Sequence, residues 1–363
     1  MPSLEPPRIL VIRRRYLGDI VLLGSIFRNL RLHWPQARLT ALVESSYAEV
    51  LALNPDVDAV LPLPKSGAGW GSWWRALRAL RGGRFTHVFN LDNVPKATLL
   101  ARWTGAPFRA GLFYELPHRL TALYTHRVID PPAEHERSPI SEYYLKILAT
   151  AGVPIATREI RLIPREADLS FARALLESKI QNPKSKILLV HPGSRSTYRL
   201  WPAGRFAAVC DRAQRELDVS VLLVGGPGEQ AMLAEIQRHA GTGLVAVTEP
   251  LSVGRFAALA HLCSLLLCHD SGPMHIAAAV GTRVVALLGS QNPVLFAPSG
   301  AGHTVLQPPL PCTACVAPGQ CVPGDSYRNY CVRNIAEDTV WAALRRQLTG
   351  SGRAVASPAG DAR

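Results

Sequence analysis

Residues 268–282 read CHDSGPMHIAAAVGT, which sets His269, Asp270, Ser271, Gly272 and His275 directly behind the apolar run 265–267. A strand ending at Cys268 would leave these polar groups at the carboxyl edge of its sheet, where open α/β folds bind ligands. A helix opening at Ser271 or Gly272 aims free N–H groups and a positive dipole end out of that edge, which suits a phosphate. Gly272 lets the phosphate approach the backbone closely. Asp270 or Ser271 alone reads equally well as a plain N-cap. Capping does not explain five such residues together.

Two further stretches follow the same logic. In 191–202, HPGSRSTYRLWP, a glycine turn carries the hydroxyls Ser194, Ser196 and Thr197, and Arg195 and Arg199 add cationic forks suited to phosphate. In 224–229, VGGPGE, Gly225, Gly226 and Gly228 permit close backbone approach, and Glu229 enters the first turn of a helix. The glycine turn alone is an ordinary feature. Three polar loops on one sheet edge point to a nucleoside-diphosphate site. Near the N-terminus, YLGDIV places Gly18 and Asp19 just after the first strand, with Arg15 upstream. Asp19 either caps a helix or, opposite a diphosphate, acts as a general base. Gly18 and Arg15 flank Asp19 on that edge as further candidate site residues.

The elements that must hold these residues alternate strand and helix. In the first half, strands fall at 8–14, 37–43, 59–63 and 86–91, and helices at 18–33, 73–80 and 97–103. The proline-bearing stretch 114–139 reads as a long surface excursion, followed by a helix over 141–151 and a link over 152–164. The second half resumes with strands at 186–193, 219–226, 244–247, 264–268 and 283–289. Its helices fall at 202–216, 228–239, 253–261 and 273–280. Strand–helix units without hairpin signals predict parallel sheets covered by helices. The expected organisation is a Rossmann-like domain over 1–160, a second over 161–349, and a disordered tail over 350–363.

Length and composition agree with two globular domains: 363 residues, 48% hydrophobic. No long uninterrupted apolar run predicts a membrane span. No apolar leader precedes the first strand, so the expected location is cytoplasmic, with possible inner-membrane contact. The 40 basic residues outnumber 27 acidic ones for a net charge of +13, which predicts an anionic partner. Neither arginine-rich repeats nor zinc-finger spacing speaks for nucleic acid. Three cysteines, Cys210, Cys263 and Cys268, fall in apolar elements as packing residues. Cys312, Cys315, Cys321 and Cys331 cluster late in the chain. They open with a C-x-x-C, but the remaining spacing fits no zinc site closely, so zinc is the weaker reading.

Taken in order, IRRRYLGDIVLLGSIFRNLR with Pro35, HPGSRSTYRLWP, LLVGGPGE and LLLCHDSGPMHIAAAVGTRVVALLGSQNP resemble glycosyltransferase family nine, the lipopolysaccharide heptosyltransferases. The segment PCTACVAPGQC…YCVRNI resembles a cysteine-bearing loop of that family, and the likeness covers about residues 8 to 348. The resemblance implies a GT-B architecture, two Rossmann-like domains facing across a cleft. It implies inverting transfer of a sugar, usually from ADP-heptose, onto an anionic glycolipid at the inner membrane surface, with no nucleic acid involved. It requires no cofactor, although it allows a divalent cation. Asp19 then matches the catalytic base and Ser194 a hydroxyl on the donor phosphates. Asp270, Ser271, Gly272 and His275 match the donor block, and Glu229 an acid holding the donor's nucleoside or sugar. Where the family carries a lysine before Trp-Pro, this chain has Arg199 in a loop one residue longer. The alternatives are a nucleotide-sugar epimerase of the same fold and a non-catalytic binder of anionic ligands.

Overall fold

The computed structural model describes residues 5–65, 67–114, 119–180, 182, 185–196, 199–308 and 331–350. The chain divides into two units. One comprises Met1–Arg165 with Val294–Gly300, the other Glu166–Pro293 with Ala301–Arg363.

The first unit holds strands β1 (Arg8–Ile12), β2 (Arg38–Glu44), β3 (Ala59–Leu63), β4 (His87–Asn90), β5 (Phe108–Phe113) and β6 (His126–Ile129). The second holds β7 (Lys186–His191), β8 (Val219–Leu223), β9 (Val245–Ala246), β10 (Leu265–His269), β11 (Arg283–Leu287) and β12 (Thr304–Leu306). Each sheet is parallel. The orders β3-β2-β1-β4-β5-β6 and β12-β11-β10-β7-β8-β9 are the same doubly wound arrangement. Central strands such as RILVI and LLLCH are apolar almost throughout because helices cover both faces of a parallel sheet. Leu10, Ile12 and Leu42 anchor one core; Leu188, Val190 and Phe206 anchor the other.

In each sheet the strand order reverses beside its first strand, between β1 and β4 and between β7 and β10. The loops leaving the carboxyl ends of those strands are therefore where a doubly wound fold takes a ligand.

Several local expectations change. The helix expected over 18–33 is two helices, Leu17–Leu22 and Gly24–His33, meeting at Leu23. The stretch 114–139 is no mere excursion, since it supplies β6, the edge strand of its sheet. β5 and β12, and helices Glu166–Lys179 and Glu337–Thr349, add to the expected set. Cys210, Cys263 and Cys268 are buried, and burial pushes their thiols above the ordinary range, so they pack rather than react. Among the described residues no helix is long and apolar enough to cross a membrane.

Candidate functional site

The second unit's constellation begins at its switch point. β7 ends at His191 and the chain turns through Gly193 and Ser194, the latter partly exposed. A Cβ on residue 193 would lie 2.0 Å from the Glu229 carboxylate, so glycine lets that side chain keep its present position. Glu229 Oε2 accepts the Gly226 N–H at 2.6 Å and lies 3.6 Å from His191 Nε2. Glu229 thus locks the loops after β7 and β8 together, immediately before helix Gln230–His239.

A second pair of contacts ties the loop after β7 to β10. The backbone N–H of Trp201 donates to His269 Nε2 at 2.8 Å, and Arg199 Nη1 lies 3.0 Å from Asp270 Oδ2. Trp201 is itself buried, its indole N–H donating to the Ile335 carbonyl at 2.9 Å. His269 differs from its expected place. It is the last residue of β10, wholly buried, and accepts a hydrogen bond instead of facing a ligand. Burial drives its pKa down to about 3, and burial likewise lowers that of His191. Both imidazoles are therefore neutral at physiological pH.

Helix Gly272–Ala279 starts immediately beyond, with Ser271 at its N-cap in extended conformation. Ser271 does not cap the helix. Its hydroxyl donates to the His269 carbonyl at 3.3 Å. Pro273 presets the first turn and contributes no N–H. The Ser271 side chain thus leaves the positive end of the helix dipole for another acceptor. His275 is buried one turn in. The structure therefore joins Arg199 to Asp270 and Gly226 to Glu229 at one sheet edge, with Ser194 on the loop after β7 and Ser271, Gly272 and His275 where the helix after β10 begins; Arg195 stands exposed on the loop after β7. Thr197 lies outside the described residues.

In the first unit, Tyr16 precedes helix Leu17–Leu22 with φ of 53° and ψ of 146°, a positive-φ backbone that costs a non-glycine residue on the order of 1–3 kcal/mol. Gly18 and Asp19 follow in the first turn. Asp19 Oδ1 lies 2.9 Å from Arg13 Nη2 and accepts a hydrogen bond from the Tyr144 hydroxyl; its side chain remains 17% exposed. Tyr144 comes from helix Ile140–Leu145 and is buried. Burial raises its phenol well above the ordinary value, so it persists as a donor. For Arg13, burial pulls the pKa down, but Tyr144, Asp19 and Asp92 outweigh it and raise it overall. The guanidinium also donates to the Leu91 carbonyl at 3.0 Å. Arg14 pairs with Asp92 at 2.6 Å across the switch point, and the half-exposed Arg15 pairs with Glu44 at 2.5 Å. The triplet Arg13–Arg15 is thus not loose positive charge on the surface. Sequence reasoning missed Arg13 and Tyr144 as partners of Asp19. Tyr144 lies 125 residues away, and no spacing reveals it.

Cys312, Cys315 and Cys321 lie outside the described residues, as does the tail beyond 350. Cys331 is described and is buried. Among the described residues no group of three or more His, Cys, Asp or Glu side chains is placed to hold a metal.

The model of glycosyltransferase family 9 (heptosyltransferase) matches residues 73–323. The chain is 24% identical over 295 residues to lipopolysaccharide heptosyltransferase 3 of Escherichia coli, covering 78% of this chain and 84% of that one. It superposes on the glycosyl transferase family 9 protein of Veillonella parvula DSM 2008 with TM-score 0.83 at 24% identity, over 95% of this chain and 98% of that one. For the E. coli ADP-heptose lps heptosyltransferase II the TM-score is 0.74 at 21% identity, over 94% and 98%. These structures have the two Rossmann-like halves of the GT-B class.

Proposed function

The chain belongs to glycosyltransferase family 9, and from that membership we propose that it moves a heptose from ADP-heptose, with inversion, onto a lipopolysaccharide core or related anionic glycan. Relatives named as heptosyltransferases of lipopolysaccharide support the sugar and the acceptor class. The observation that carries the chemistry is Asp19, a carboxylate fixed by Arg13 and Tyr144 at the switch point yet still accessible.

In this reading the Gly272 end of helix Gly272–Ala279, with Ser194 and Arg199, holds the donor diphosphate. Asp19 removes the acceptor hydroxyl proton as that oxygen attacks the anomeric carbon. The bond from that carbon to the phosphate oxygen breaks, and ADP departs with the electron pair. The helix dipole and Arg199 stabilise the charge it acquires. Arg199 lies on Asp270, so Asp270 orients it toward the phosphates. Glu229 holds the nucleoside or sugar and keeps two loops in register. Gly18 and Arg15 stand on the acceptor side. N–H groups and a guanidinium supply positive charge to the leaving diphosphate, so a divalent cation is allowed but not required, and added EDTA should leave turnover unchanged.

The test is incubation with ADP-heptose and a heptose-deficient core oligosaccharide, following ADP release and product mass. Transfer with inverted anomeric configuration is expected. A donor that epimerises without acceptor would instead assign the protein to the epimerases. A melting screen with ADP-, GDP-, UDP- and dTDP-sugars checks the nucleotide, since a specific donor raises stability by RT ln(1 + [L]/Kd). ADP-heptose should give the largest shift, and a larger one from another base would overturn that assignment.

A further inference from the structure

Helices Trp70–Gly82 and Pro95–Trp103 pack side by side in the first unit. Trp103 Nε1 donates to the Leu77 carbonyl at 2.9 Å, and Lys96 Nζ sits 3.9 Å from the centre of the Trp73 ring. Their outer surface is unusual in what it exposes. Trp70 is 81% exposed, Trp74 48%, Leu99 53% and Trp103 44%. Trp70, Trp74 and Arg78 succeed one another at i, i+4 and i+8, so they share one stripe. Arg75, Arg81, Lys96 and Arg102 are exposed beside them, and neither helix contains an acidic residue. The net charge predicted an anionic partner, but Arg13 and Arg14 are committed to Asp19 and Asp92. Part of the outward charge of this unit lies here, where it stands beside exposed tryptophan.

Tryptophan beside arginine, with no acid among them, suits the boundary layer of a membrane. An indole ring has an apolar body and a polar edge, and arginine reaches headgroup phosphates while its stem covers apolar surface. A nucleic acid would draw on the arginines and leave Leu99 unexplained. Helix Pro95–Trp103 begins three residues after Asp92, which pairs with Arg14 at the switch point, so the face adjoins the loops that carry Asp19.

We propose that this tryptophan–arginine face docks the protein, reversibly and without insertion of a span, on the surface of an anionic phospholipid bilayer. The inference deepens the proposed function by naming where a lipid-linked acceptor is met, and rests on that reading only for its purpose. Binding itself is measured without catalysis.

The experiment is co-sedimentation of the full chain with vesicles of phosphatidylglycerol and phosphatidylethanolamine, compared with phosphatidylcholine vesicles. Binding to the anionic vesicles is expected, weakening about tenfold as salt rises from ~0.1 to ~0.5 M. W70S/W74S should lower the partition constant about tenfold. R75Q/R78Q/R102Q should lower it about fivefold per arginine. Both variants change exposed side chains, and unaltered melting curves verify their fold. Equal binding to both kinds of vesicle, or variants that bind like the parent chain, would overturn the proposal. So would arginine variants that lose RNA binding but keep vesicle binding. With a lipid-free soluble acceptor, W70S/W74S should transfer at the parent rate. Vesicle binding without any heptosyl transfer would overturn the proposed function and leave the docking face standing.

Discussion

At the carboxyl ends of β2, β1 and β4 the first unit gathers ions: Arg13 with Asp19, Arg14 with Asp92, Arg15 with Glu44. At the equivalent position between β7 and β10 the second unit sets two imidazoles kept neutral by burial, a glycine turn, and one ion pair, Arg199 with Asp270. The winding is the same, but the chemistry prepared is not. Ion pairs hold a carboxylate in one orientation for proton transfer. Neutral, glycine-bearing loops leave a helix terminus open to a ligand that brings its own negative charge.

The sharpest break in that contrast is Asp19→Ala. General-base assistance accounts for about 10²- to 10⁴-fold in rate, so turnover should fall about a thousandfold while the ADP-heptose melting shift persists. A variant with parent turnover would remove the base assignment. On the other side, Gly193→Ala drives a methyl group into Glu229 and must break its contact with the Gly226 N–H. A loss of roughly 2 kcal/mol of stability is expected, read by chemical denaturation. Gly193→Ala with Glu229→Ala should be less damaging than the sum of the two, and strict additivity would refute the interlock.

Much of the second unit was legible because its signals are local. The apolar runs 187–190 and 265–267 end abruptly at polar loops, and a short buried strand followed by a glycine turn has few other readings. His269 was misplaced for a physical reason. A histidine next to a site looks titratable, and only the Trp201 N–H and complete burial make it a neutral acceptor. β6 escaped notice because an edge strand needs no continuous apolar face; HRVI is mostly exposed and lies among prolines. In the first unit Asp19 was legible from YLGD, whereas its anchors were not. Arg13 is one of three consecutive arginines that spacing does not tell apart, and Tyr144 is brought in by tertiary packing alone.

Tyr144→Phe tests that missed anchor. It removes one donor to Asp19 while keeping the buried ring, so kcat should fall about tenfold with donor affinity unchanged. A shift in the acidic limb of the pH–rate profile would separate this from a packing defect, and an unmoved profile with full activity would exclude Tyr144 from the site. The smallest effect concerns pH. His269 binds its proton only near pH 3 when folded but near about 6.5 when unfolded. Its contribution is complete above about pH 6.5 and declines by about 1.4 kcal/mol per unit as pH falls toward 3. Melting temperature between about pH 7.5 and 5.5 should therefore drop on the acid side. His269→Gln, which keeps an acceptor for Trp201, should flatten that slope; an unchanged slope would refute the assignment.

The fit of Glu229 against Gly193 has a consequence for how donor preference can change in this chain. A side chain at position 193 would enter the volume of the Glu229 carboxylate, so a turn after β7 that lacks this glycine should be accepted only with a changed turn after β8, whereas the reverse exchange meets no such obstacle.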